Sequence, residues 1–253
     1  MTDFSISILD WSAWAPGFEK DSDWTNFDTA SLEGKYIPEV KELPMIQRRR
    51  LNRLGRMAMR VAKDVEPHKN HQDSEQCIIL NENTHLVFSS RYGDICNTLK
   101  LLTNLSIDGD VSPTNFSFSV HNALAGFYSI NTKNILPHTA VSAGENSFEH
   151  AMLEAMSLIL EDSKRDVLLV HYDEPLPEFY SKFQDETVKP LALAVRLAAK
   201  NTIGQSINVL KQTQDVEAKE DNLLSFVKFL SGIQETWKWS IGSQHWTLKK
   251  PHE

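Results

Sequence analysis

Cysteine is nearly absent: Cys77 and Cys96 are the two in 253 residues. Their spacing matches no thiolate metal site and two thiols make no disulfide framework, so both are expected to be reduced and buried. Long apolar runs are missing as well, with nothing near the roughly 18–20 consecutive residues that span a bilayer. Positive charge is in deficit, 26 Lys and Arg against 34 Asp and Glu, for a formal net charge of −8. General nucleic-acid binding needs the opposite balance and is not expected, although a local basic patch is compatible with these totals. The N-terminal MTDFSISILD carries an acid where a signal peptide carries its positive region, so a soluble, cytoplasmic protein is expected. No internal repeat and no low-complexity tract stands out.

Apolar residues are plentiful. They make up 41% of the chain, enough for one α/β domain over residues 1–253 with a substantial core. Residues 4–9 read as a strand, followed by an aromatic segment (Trp11, Trp14, Phe18, Trp24, Phe27) read as a packed loop with a short helix. Residues 47–65 are helical: Leu51, Leu54, Met57, Ala58, Val61 and Val65 share one face, and Arg49, Arg53, Arg56, Arg60 and Lys63 another. A polar loop spans 67–75, and strand signals at 77–80 and 85–90 flank a turn. Asp94 is placed to cap a helix reaching about Leu105. Residues 112–130 read as a turn and a short apolar helix, 139–143 as a brief strand, and 146–160 as a strong helix after Gly144. Buried-type strands follow at 166–172 and 191–197, then an exposed linker over 212–221, a helix over 223–230 and a closing strand or hairpin over 236–248. Strands alternating with helices predict a layered α/β domain.

The strand–glycine–helix element around Gly144 is where chemistry would be sought, because such elbows present a side chain at a helix N-terminus. The elbow reads Ser142, Ala143, Gly144, Glu145, Asn146, Ser147, with no cysteine. A serine nucleophile at Ser142 or Ser147 with His121 or His150 is conceivable, but no orienting acid is visible, and helix capping is the simpler role. His68 and His71 in PHKNH lack a third ligand, so no metal site is expected. Trp237, Trp239 and Trp246 read as packing anchors.

Three stretches, QRRRLNRLGRMAMRVAKDV, SPTNFSFSVHNALAGFYSI and TAVSAGENSFEHAMLEA, resemble, in this order, the N-terminal half of a β-ketoacyl synthase. The resemblance implies a thiolase-type half with αβα layers around a mixed, mostly parallel central sheet. Counting back from His150 and Ala151, the family's nucleophilic cysteine falls on Glu145, or on Gly144 with a one-residue shift, so no catalytic residue is expected. The family's two catalytic histidine motifs have no counterpart: His245 and His252 lie in other surroundings. The pattern is most similar to the short chain-length factors of aryl-polyene clusters. Such a resemblance implies a non-catalytic subunit that heterodimerises with a full-length ketosynthase and shapes its acyl cavity. Phe116, Phe118, His121, Asn122, Phe127 and Tyr128 would then border that cavity and the interface, while Arg48, Arg49 and Arg50 would dock the acyl carrier protein. No cofactor of its own is implied, the carrier bringing phosphopantetheine. The rival implications are a residual decarboxylase or acyltransferase at the altered elbow, and a free-standing acyl-carrier or acyl-CoA binding protein.

Overall fold

Alternating small and apolar residues in FSISILDWSAW carry the first strand, β1 (Asp3–Trp14), five residues past the expected end. A register shift between Ile8 and Asp10 re-phases the alternation. Ala13 and Trp14 are thereby buried like Ile6 and Ile8, and a bulge of this kind hides a strand from any period-two reading. The computed structural model describes residues 3–25, 34, 36–66, 84–184, 188–200, 204–212 and 222–251. Cys77 and the strand expected at 77–80, His68 and His71, residues 213–221 of the expected linker, Phe27 and His252 lie outside them.

The expected helix over 47–65 is two helices, α1 (Met45–Arg48) and α2 (Arg53–Asp64). Asn52 makes the break, its side-chain oxygen accepting from Gly55 N at 3.0 Å as a cap. Arg56 ties the pieces together by donating to Leu51 O (3.3 Å) and Arg48 O (3.2 Å). There follow β2 (Thr84–Ser89), α3 (Ile95–Asp108), α4 (Pro113–Ser117), α5 (Ala123–Thr132), β3 (His138–Val141), α6 (Ser147–Glu161), β4 (Asp166–Asp173), β5 (Leu191–Ala199), β6 (Gln205–Gln212), α7 (Asn222–Leu230), β7 (Thr236–Ile241) and β8 (Gln244–Lys249). Of these β6 was not anticipated: Ile207 and Val209 are its buried apolar residues, too few for a clear alternation.

Among the described residues eight strands form one sheet, in the order β3-β2-β4-β5-β1-β6-β8-β7. The sheet is mixed, as expected, but the parallel majority is not. Among the described strands β2–β3 and β2–β4 are parallel, and the other five pairings are antiparallel. Parallel neighbours need a long crossover, which this chain provides in α3–α5 and in α6. The β7–β8 connection is a tight turn with Gly242 at φ +57, a hairpin geometry.

Two cores lie on opposite faces of the sheet, giving αβα layers. On one face Leu54, Met57, Ala58 and Val61 of α2 meet Phe127 and Tyr128 of α5 over Phe88, Leu168 and Val170. On the other, Phe148, Met152 and Met156 of α6 and Phe226 of α7 pack on Val87, Leu169, Val195 and Trp237. Trp237 stacks on Trp239 at 4.2 Å and Trp239 on Trp246 at 5.9 Å. The tryptophans are packing anchors.

Candidate functional site

The elbow sits between β3 and α6. Gly144 turns the chain at φ +63, a conformation that side chains with a Cβ adopt at a cost, and a 3-10 turn over Gly144–Asn146 leads into α6. Ser147 is buried, and its hydroxyl is committed within the turn: Oγ donates to Gly144 O (2.6 Å) and accepts from Ala143 N (2.9 Å). The exposed Ser142 donates to Arg91 O at 3.0 Å. His150 Nδ1 lies 2.8 Å from Asn146 O, while the His121 ring rests against Gly93. The conceivable serine–histidine pairs are therefore not assembled. Gly144 and Glu145 are both exposed at the tip. Cys96, at the start of α3, is no substitute: burial pushes its thiol up, and Glu174 and Asp94 push it further, so it stays protonated and weakly nucleophilic.

Behind the elbow lies a polar cluster that sequence reading missed. Ser89, at the end of β2, donates to Ser147 O at 2.9 Å. His171 on β4 stands opposite Ser89 in the parallel register, with Nδ1 3.1 Å from Ser89 Oγ and Nε2 3.3 Å from Asp173 Oδ2. Asp173 also accepts from Ser90 Oγ (2.8 Å) and from Arg91 N (3.0 Å). The one available signal was a histidine inside the apolar run VLLVHYD, unremarkable until its neighbours are known.

Alongside is a cleft of about 390 Å³. It brings together four residues that the sequence assigned to two roles, Arg49 and Arg50 with Phe118 and His121, and adds Lys100. Cations at a lip over Leu54, Phe118 and Leu124 suit an anion with an apolar body. Asp94 accepts from Asn52 Nδ2 (2.7 Å) and, capping α3, from Asn97 N (3.0 Å). Burial nevertheless holds its carboxyl above the ordinary value. Burial also raises Glu174, although Arg53 sits 3.1 Å away and pulls the other way. The Tyr172 hydroxyl, 3.5 Å from His121 O, is driven far above the ordinary tyrosine range by burial, with Asp173 adding to it.

The remaining expected residues separate. Arg48 is half-buried at the end of α1 and does not line the cleft. Phe116 is 60% exposed. Asn122 is exposed and precedes α5 without a side-chain cap bond. Phe127 and Tyr128 belong to the core, Phe127 6.0 Å from Phe118 and Tyr128 5.8 Å from Phe88. Among the described residues no group of three or more His, Cys, Asp or Glu side chains is arranged to hold a metal ion. Nor is any helix among them long and apolar enough to cross a membrane.

Residues 11–249 match the family described as β-ketoacyl synthase, N-terminal domain. The chain belongs to that family. Among solved structures, it is similar to one of the ketosynthase ApeO in complex with its chain length factor ApeC from Xenorhabdus doucetiae. There it has 26% identity and a TM-score of 0.75, covering 97% of this chain and 99% of the matched one. The ishigamide ketosynthase/chain length factor follows at 16% identity and TM-score 0.62, covering 83% and 67%. AntDE:AntF, a type II polyketide synthase acyl carrier protein in complex with its ketosynthase, matches at 11% identity and TM-score 0.61, covering 84% and 70%; these two are likenesses of fold. No curated protein matches the sequence. The fold is thus the thiolase-like fold of the ketosynthases, and the chain is a ketosynthase-like one.

Proposed function

We propose that the chain is a non-catalytic, chain-length-factor-like subunit that pairs with an active full-length ketosynthase and borders its acyl cavity during polyene or polyketide elongation. The observation that carries this reading is the elbow. Counted back from His150 and Ala151, the family's cysteine position falls on Glu145, or on Gly144 with a one-residue shift, and the buried Ser147 nearby spends its hydroxyl on the turn. Near-complete coverage in both directions against one chain of a ketosynthase and chain length factor complex is what a short subunit of equal length would give. Exposed apolar side chains on the chain leading into β3, Ile130 at 78% and Ile135 at 86%, support a protein partner there. In this reading Arg49 and Arg50 meet the acyl carrier protein and its phosphopantetheine. Phe116, Phe118 and His121 border the cavity, while Phe127 and Tyr128 brace them from the core. The single-domain organisation and a cytoplasmic setting belong to the same proposal.

Co-expression tests it. The chain alone should self-associate, and with its ketosynthase it should purify as a defined complex whose turnover depends on the partner's cysteine. Glu145→Gln should leave condensation within a few-fold of wild type. Loss of turnover in an intact complex would instead give the elbow a chemical role, as decarboxylase or acyltransferase. Phe116→Ala and Phe118→Ala should shift the product length measured by mass spectrometry. A monodisperse monomer indifferent to the ketosynthase would overturn the proposal.

A further inference from the structure

The elbow and the loop over residues 90–93 are separate in sequence, yet both are linked to one buried imidazole, the elbow through Ser89 and the loop through Asp173. Ser89 has a single proton, and it goes to Ser147 O at 2.9 Å. His171 Nδ1, 3.1 Å away, is then the donor to Ser89 Oγ. On its far side Nε2 lies 3.3 Å from Asp173 and donates to it when the ring carries both protons; the same carboxylate receives the Arg91 N–H at 3.0 Å and the Ser90 hydroxyl at 2.8 Å. Ser90 Oγ in turn accepts from Gly93 N at 2.8 Å, and Gly93 is the residue on which the His121 ring rests, 3.1 Å from where a Cβ would stand. Phe148, second residue of α6, closes over the ring edge-on at 5.4 Å. Ser89 and His171 are 1% and 5% exposed, so water does not compete for these bonds, and losing one leaves a buried group unsatisfied.

We infer that His171 is a positioning residue, acting through Ser89 on the elbow and through Asp173 on the loop that carries the cleft's Gly93–His121 contact. It holds two surfaces of the molecule in one frame from inside the sheet. A hydrophobic residue of similar size would fill the space but hold neither. The inference concerns this chain alone and stands or falls independently of the partner proposed above.

The test is site-resolved amide hydrogen exchange on the full chain, isolated or in whatever complex it purifies with. His171→Phe should raise exchange about tenfold at two places, 143–147 and 91–93, as expected for one lost buried hydrogen bond at each, and leave the centre of β5 unchanged. The two amide variants divide the role. His171→Asn keeps a donor near Nδ1 and should restore protection at the elbow only; His171→Gln reaches toward Asp173 and should restore it at 91–93 only. Should His171→Phe fail to fold, Ser89→Ala and Asp173→Asn should each loosen their own side by a similar factor. Uniform loosening across the sheet, no local loosening, or identical behaviour of the Asn and Gln variants would each overturn the assignment.

Discussion

At one margin of the sheet, β7 carries Lys238 exposed between the fully buried Trp237 and Trp239. At the other, β3 reads His-Thr-Ala-Val, half-buried throughout and without a Lys, Asp, Glu or Pro. The two margins belong to one sheet and one chain but are finished by different means. A lysine on an edge strand opposes pairing with another strand, because the pairing would trap its charge. The aromatic stack beneath β7 leaves that edge nothing further to bury: Trp237 is 5.6 Å from Phe148 and 4.6 Å from Phe226. The β3 edge has neither device, and the chain entering it exposes Ile130 and Ile135. An edge closed from within is a boundary of the fold, whereas an unprotected edge beside exposed isoleucines has the chemistry of an interface.

The strongest test of this contrast acts on the closed edge. Trp237→Ala removes the centre of the aromatic stack and should cost about 3–5 kcal/mol of stability by denaturant titration, regardless of whether a partner is present. At the open edge, Ala140→Lys should barely move the melting temperature of the isolated chain. It should weaken recovery with the proposed ketosynthase partner by about a hundredfold, the scale of an unpaired charge at an interface. Equal complex formation by Ala140→Lys and wild type would remove β3 from the interface.

Two half-buried carboxyls beside the cleft predict a pH dependence. Asp94 and Glu174 are raised by burial. Between their ordinary values near 4 and their raised ones, the folded chain therefore binds more protons than the unfolded chain. Stability should fall as pH rises through that window. Asp94→Asn retains a capping side chain and should flatten this decline in melting scans; an unchanged slope would place the dependence elsewhere. The smallest effect is expected at Lys238→Ala, within about 0.5 kcal/mol in stability, with self-association at high concentration by light scattering as its one visible consequence.

Much of this architecture was legible beforehand. The helices at α2, α3, α6 and α7 follow from their apolar spacing, and Asp94 caps α3 as its place before an apolar run predicts. The tryptophan hairpin and the glycine elbow were legible for the same reason, each being specified by neighbours in the chain. The misses share a physical cause. The break at Asn52 depends on one side chain turning back to Gly55 N, the extra length of β1 on a register shift, and the antiparallel majority on where short connections allow β1 to insert between β5 and β6. At the site, Arg49, Arg50, Phe118 and His121 were identified singly, but their meeting in one cleft was not foreseeable, nor was the addition of Lys100. Tyr128 and Phe127 looked like their neighbours Phe116 and Phe118, yet helix phase sends them to the core.

What the amino-acid order determined alone was local: which segments are helical or extended, and the tight turn at Gly144. These depend on interactions within a few residues, whose partners are adjacent by covalent connection. Only the tertiary structure decided which strands are neighbours, which margin of the sheet is left open, and that Ser89, His171 and Asp173 meet behind the elbow. Ser89 and His171 are 82 residues apart in the chain. Their contact exists because burial of two apolar faces brings β2 and β4 side by side, and no spacing in the sequence records that.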